Sequence, residues 1–170
     1  MVDKGVCYGR TDLAVDAELQ ARALAGLRAR LPADAPVFSS PLQRCAGLAQ
    51  ALFGARVIID ARLQELDFGS WEMRHWDDIA RAEIDAWAAD LANYRPGDGD
   101  SVLAMAQRVS AFAAALPHSG VAIVICHAGV IRLLCAYCQG LNPQQMAQQA
   151  AAQPHAIAYG EVLQLQLQRA

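Results

Sequence analysis

Lysine is nearly missing from this chain: Lys4 is the only one among 14 basic side chains, and 17 acidic residues outnumber them. With a net charge of −3 and no basic cluster, the chain lacks the electrostatic footprint of a nucleic-acid binder. No apolar run approaches the roughly 20 residues that cross a bilayer, and no basic stretch followed by an apolar one marks a leader. The expectation is a soluble, cytoplasmic protein with neither nucleic acid nor membrane as partner. G-x-S-x-G is absent, which removes the usual serine-hydrolase elbow, and Ser39-Ser40 stand before a proline. Cysteine is present in an odd number: Cys7, Cys45, Cys126, Cys135 and Cys138. In a chain that is not small and shows no sign of secretion, these read as free thiols.

What remains is ordinary globular material. Apolar residues make up 55% of the 170 and charged residues 18%, which suits one domain over 1–170 with a single sizeable core. Strand and helix patterns alternate. Residues 17–31, rich in Ala, Leu and Arg, read as a helix. "APVFSS" (35–40) reads as a strand, after which Ser40 can cap a helix with Pro41 in its first position. That helix runs to about residue 53, and "ARVIID" (55–60) is a second strand. "LQELDFGSWE" (63–72) reads as a loop, and Trp76, Ile79, Ile84 and Trp87 as one helix. The turn-rich "ANYRPGDGD" (92–100) leads to a helix opened by Ser101. "GVAIVIC" (120–126) reads as a strand buried on both faces, and "HAGVIRLLCAYCQG" as the helix leaving it. Asn142-Pro143 caps another helix. Leu163, Leu165 and Leu167 alternate with Gln164, Gln166 and Gln168, as in a strand with one buried face. The pattern predicts an α/β three-layer sandwich around a mainly parallel sheet.

In such sheets ligands bind beyond the carboxyl ends of the strands. Two predicted strands end in chemistry. "SSPLQR" places Arg44 in the first turn of a helix, where a cation is unfavourable unless an anion joins it. "VICHAGVIR" places His127 where a strand turns into a helix, with Ala128 and Gly129 keeping the approach open. Either residue alone is compatible with a structural role, and His75, His118 and His155 read as structural. The loop 63–72 supplies Glu65, Asp67 and Glu72, any of which could protonate a leaving oxygen, with Phe68 and Trp71 as apolar neighbours. Cys135 and Cys138 share a helix face and could chelate a metal with Cys126 or His127. However, "HAG" lacks the glutamate of a zinc deaminase, and the pair comes too late in its helix for a thioredoxin-like motif.

Taken in order, "CYGRTD", "FSSPLQRCAGLA", "LQELDFGSWE", "PGDGDS" and "ICHAGVIR" resemble the histidine phosphatase superfamily, with its phosphoglycerate-mutase-like fold. "CYGRTDL" with "ELDFGSWE" is most similar to the α-ribazole-phosphate phosphatase branch, which removes a phosphate during assembly of the cobalamin nucleotide loop. The resemblance implies a phosphomonoester hydrolase with a small-molecule substrate, no metal and no organic cofactor, and it leaves room for a homodimer. It makes Arg44 a phosphate-gripping arginine and His127 the pocket histidine that stabilises the transferring phosphoryl group. Glu65 becomes the general acid. Arg10 and Tyr8, in the opening turn, would face the substrate. Asp100 and Ser101 would match the family's Gly-Glu-Ser turn, with Asp in place of Glu.

The resemblance also implies a nucleophile. Family members begin with a strand ending in Arg-His, just before the segment matching "GVCYGRTD". Here that position falls at or before Met1; the first histidine is His75, and Arg-His occurs only as Arg74-His75. The fold is therefore expected to lack its first strand. Two readings follow: a longer natural phosphatase whose start lies upstream, or a phosphate-binding pseudo-enzyme. The joint presence of Arg44, Glu65 and His127 favours the first. A metal or redox protein built on the cysteines is the third.

Overall fold

The computed structural model describes residues 2–117, 119–152 and 157–167. Among them three short strands of β-branched and aromatic residues form the sheet: β1 (Val37–Ser39), β2 (Val57–Ile59) and β3 (Ile123–Ile125). All pairs are parallel, in the order β2-β1-β3, with Val37 level with both Val57 and Ile123. Six α-helices accompany them: α1 (Ala17–Arg28), α2 (Gln43–Phe53), α3 (Arg81–Ala89), α4 (Val102–Ala114), α5 (Ala128–Cys138) and α6 (Pro143–Ala152).

Helices cover both sheet faces, as the alternation predicts. Phe38 turns to one face and meets the Phe112 ring edge-on, 5.6 Å between centroids. There α4, α5 and α6 enclose the main core, including Leu63, Met105, Val109, Phe112, Val130, Leu133 and Met146. The neighbours of Phe38, Val37 and Ser39, are buried on the opposite face, where α2 and then α1 lie. Asn142 and Gln145 close a reciprocal capping box at the start of α6, each side chain accepting the other's backbone N–H at 3.0 Å. Ser101 caps α4 through the Ala104 N–H, as expected.

A second, smaller core lies beside the first. Cys7, Trp71 and Ile79 are buried there, with Phe68, Trp76, Ile84, Trp87 and Tyr94 packed around them. The opening residues run against 73–76: the Trp76 N–H donates to Gly5, the Met73 N–H to Cys7, and the Cys7 N–H to Arg74. Residues 61–72 carry two single helical turns of 3-10 type (Ala61–Leu63 and Gly69–Trp71) within a loop.

Four expectations need correction. The helix through Trp76 and Trp87 is broken: a short turn (Trp76–Asp78) precedes α3, and Ile79 between them is extended because its side chain is drawn into the smaller core. Helix α2 starts at Gln43 rather than Pro41, with Leu42 as its N-cap; the Ser40 hydroxyl accepts the Leu42 N–H instead of capping the helix. The segment 120–126 is not buried on both faces, since Val121 is 64% exposed and β3 has β1 as its one ladder partner among the described residues. Residues 161–167 form no strand, for no ladder reaches them; Leu167 packs against the main core, and Gln168 lies outside the described residues.

Candidate active site

Parallel pairing brings the ends of β1 and β3 level. Ser39 is in register with Ile125, and the Ser40 N–H donates to the Ile125 carbonyl at 3.0 Å. The chain then leaves β1 into α2 and β3 into α5, so two helix N-termini open on the same side. His127 is the N-cap of α5, and Arg44 is the second residue of α2. The two residues taken from different strand ends thus meet. Arg44 Nε donates to His127 Nδ1 at 3.1 Å, Nη1 to the Thr11 carbonyl at 2.8 Å, and Nη2 to the Gly9 carbonyl at 2.5 Å. Three of its five N–H groups are committed, which leaves one on each Nη without a partner among the described residues.

His127 is 6% exposed, and its other nitrogen, Nε2, lies 2.7 Å from Ser40 Oγ. Burial, reinforced by the Arg44 and Arg108 cations, pushes its pKa down to about 3, so the ring is neutral at pH 7. An arginine N–H can only donate, so Nδ1 is the acceptor and Nε2 carries the hydrogen. Nε2–H therefore donates to Ser40 Oγ. That orientation excludes a serine–histidine base pair, which needs the opposite tautomer. The Cys45 thiol sits 3.6 Å from both ring nitrogens, and burial pushes its pKa up to about 12. It packs against the ring as a protonated thiol. Cys135 and Cys138 are half-buried on α5, their thiols also raised by burial.

Glu65 comes from the loop after β2 and rests on the N-terminus of α5. Its Oε2 accepts the Gly129 N–H at 3.0 Å and its Oε1 accepts the Leu66 N–H at 3.0 Å. A Cβ on residue 129 would stand 2.3 Å from Glu65 Oε1, so the glycine makes this approach possible. Arg108 secures the loop from behind by donating to the carbonyls of Arg62, Gln64 and Glu65. Arg44, His127, Glu65 and Arg108 therefore form one cluster, in which an internal carboxylate sits among donors suited to an anion.

The other predicted residues stand one layer out. Arg10 pairs with Asp67 at 3.1 Å and Asp100 at 3.0 Å, and Asp100 also lies 3.8 Å from Arg108. The Ser101 hydroxyl is taken by the α4 cap, and Tyr8 is exposed. His75 accepts the Asp77 N–H, a structural placement; His118 and His155 lie outside the described residues. Arg108 and Ser40 were not picked out from sequence for the parts they play here. Arg108 did leave a trace, as the lone charge in the apolar helix "VLAMAQRVSAFAA".

A parallel α/β sheet whose adjacent strand ends present an arginine, a neutral histidine and a glutamate defines a candidate anion-handling site. Residues 3–161 match the histidine phosphatase superfamily (branch 1), and the chain belongs to that family. It is 32% identical over 123 residues to adenosylcobalamin/alpha-ribazole phosphatase of Escherichia coli (strain K12), covering 64% of this chain and 61% of that one. The alpha-ribazole phosphatase of Shigella flexneri superposes with a TM-score of 0.72 at 30% identity, over 85% of this chain and 76% of that one. For the phosphoglycerate mutase of Thermus thermophilus the TM-score is 0.63 at 31% identity, over 79% and 75%. The chain spans between about two-fifths and three-fifths of the length of the curated relatives it matches.

Proposed function

We infer that this chain supplies the phosphate pocket of a phosphomonoester hydrolase, with α-ribazole 5′-phosphate as the favoured substrate. The observation that carries the reading is the Arg44–His127 contact between two helix N-termini, with Glu65 on the second. The phosphoryl oxygens take the two uncommitted Arg44 N–H groups in a bidentate grip, which suits a guanidinium better than an ammonium. The N-terminus of α5 adds backbone donors and the positive end of its dipole. His127 contributes a neutral imidazole that gains a proton most readily once an anion offsets the neighbouring arginines. Glu65 lies within reach of the same donors and delivers the proton that a leaving alkoxide needs. These roles cover binding, orientation and leaving-group protonation. The substrate's alcohol portion comes from the similarity to the α-ribazole phosphatases. A cytoplasmic setting and a small-molecule partner go with the same reading; a homodimer is compatible with it.

The test is calorimetric titration of inorganic phosphate into the full chain and into Arg44→Ala. Removing the grip should weaken binding by about ten- to a hundredfold, the range expected for charge-assisted hydrogen bonds. Equal binding by both chains would remove Arg44 from the pocket. For the substrate class, α-ribazole 5′-phosphate should displace phosphate while dephosphorylated α-ribazole does not.

A further inference from the structure

Glu72 accepts five hydrogen bonds. Its Oε2 receives the Gly9 N–H at 3.0 Å, the Thr11 N–H at 3.2 Å and the Thr11 hydroxyl at 2.5 Å; its Oε1 receives the Arg10 N–H at 2.9 Å and the Phe68 N–H at 3.0 Å. Three consecutive backbone N–H groups thus converge on one carboxylate. A turn of this kind forms an anion nest, and here its anion is built into the protein. A carboxylate offers about four lone-pair directions, all of which these donors occupy. Burial pushes the Glu72 carboxyl up, but the bonds from the Thr11 hydroxyl and the Phe68, Gly9 and Arg10 N–H groups outweigh it, and the group lies below the ordinary carboxylate range. Glu72 has no lone pair with which to carry a proton to a leaving group, so its work lies elsewhere.

The same turn has a second set of contacts. Fixing the N–H groups of 9–11 on Glu72 fixes the carbonyls of that turn as well. The Gly9 and Thr11 carbonyls receive Arg44 Nη2 and Nη1, and Arg44 Nε holds His127 Nδ1. Space around the turn is tight: a Cβ on residue 9 would lie 2.0 Å from the Leu66 carbonyl oxygen, so the turn lies hard against the loop carrying Glu65. We propose that Glu72 is a positioning residue which, through the 9–11 turn, aims the Arg44 guanidinium and thereby sets the His127 tautomer. The charge is needed because four N–H groups and a hydroxyl pointing one way repel any group that is not a full acceptor. This rests on the phosphate-pocket reading for its effect on binding, but not for its effect on His127.

The experiment compares the full chain with Glu72→Gln, Arg44→Ala and the double variant. The amide keeps the size but turns one acceptor oxygen into a donor facing donors. In ¹⁵N NMR the unaltered chain should give His127 signals of a single Nε2–H tautomer, and Glu72→Gln should mix the tautomers. Inorganic phosphate should bind Glu72→Gln about tenfold more weakly, consistent with a misaimed charge-assisted grip. The double variant should bind no worse than Arg44→Ala, because both losses act through one group. Glu83→Leu, which removes the acceptor of the 2.7 Å bond from Trp71 Nε1 in the same small core, should lower stability yet leave both readouts unchanged. Should Glu72→Gln not fold, Thr11→Val deletes one of the five bonds and should shift both readouts less, in the same direction. Unchanged His127 signals and affinity in Glu72→Gln, or losses that add in the double variant, would overturn the proposal. Absence of phosphate binding by every chain would sink the pocket reading instead, with the tautomer comparison still deciding the role of Glu72.

Discussion

Glu65 takes a backbone donor, the Gly129 N–H, that an incoming phosphate oxygen also wants. As a carboxylate its charge therefore opposes the binding of a phosphate dianion, whereas in the proposed general-acid role it must first take up the proton that it passes to the leaving oxygen. The two effects predict opposite outcomes for one substitution. Glu65→Gln should bind inorganic phosphate at least about fivefold more tightly, since a like charge a few ångströms away is removed from a poorly solvated site. In any form of the protein that turns over, the same change should slow hydrolysis of alkyl phosphates by about 10²–10⁴-fold and of activated aryl phosphates much less. Calorimetry and a leaving-group series read the two separately. Weaker phosphate binding by Glu65→Gln would mean that the side chain orders the pocket rather than competing for it.

At the scale of elements, the loops 67–71 and 96–100 lie backbone to backbone. Gly69 and Gly97 both have left-handed φ, 54° and 56°, and a Cβ on residue 97 would come within 2.4 Å of the Phe68 carbonyl oxygen. Gly97→Ala should therefore cost about 1–3 kcal/mol. In a chain of this length that lowers Tm by about 2–4 °C per kcal/mol in a calorimetric scan. Gly26, inside α1 with nothing within 4 Å of where its Cβ would be, should behave the other way: Gly26→Ala should raise stability by about 0.5–1 kcal/mol. The contrast marks what sequence could reveal. Arg44 and His127 were legible because each follows a short apolar strand and opens a helix, both local signals. Their mutual contact, 83 residues apart, was not, and neither was the convergence of the 9–11 turn on Glu72, more than 60 positions away. The break at Ile79 was hidden for a related reason: helical spacing from Trp76 to Trp87 is satisfied on paper, while burial in a small aromatic core decides the backbone. The alternating leucines after 162 indicate which side chains would share a face, but alternation cannot supply a neighbouring strand.

Across the whole molecule, one buried histidine should shape the response to acid. His127 has its pKa pushed from 6.5 to about 3 by burial and by the Arg44 and Arg108 cations. Between those values the unfolded chain binds a proton at this site and the folded chain does not. Stability therefore rises with pH through that window and falls as the solution is acidified from about pH 6.5, by at most about 1.4 kcal/mol per pH unit. The hydrogen-bonded carboxylates Glu72 and Asp60, whose pKa values are lowered, lose their contribution at more acid pH, as they protonate. The region from pH 6.5 to 4.5 consequently isolates the histidine. Denaturant unfolding of the full chain should give a decline there that His127→Gln flattens, whatever its effect on absolute stability. Phosphate adds a second check, because an anion beside Arg44 and Arg108 offsets the cations that depress the imidazole. At about a hundred times its dissociation constant it should stabilise the fold by about 2.7 kcal/mol, and it should also make the acid decline shallower. A slope unchanged in His127→Gln would assign the acid response to other groups; a slope that phosphate leaves untouched would mean that the anion settles away from His127.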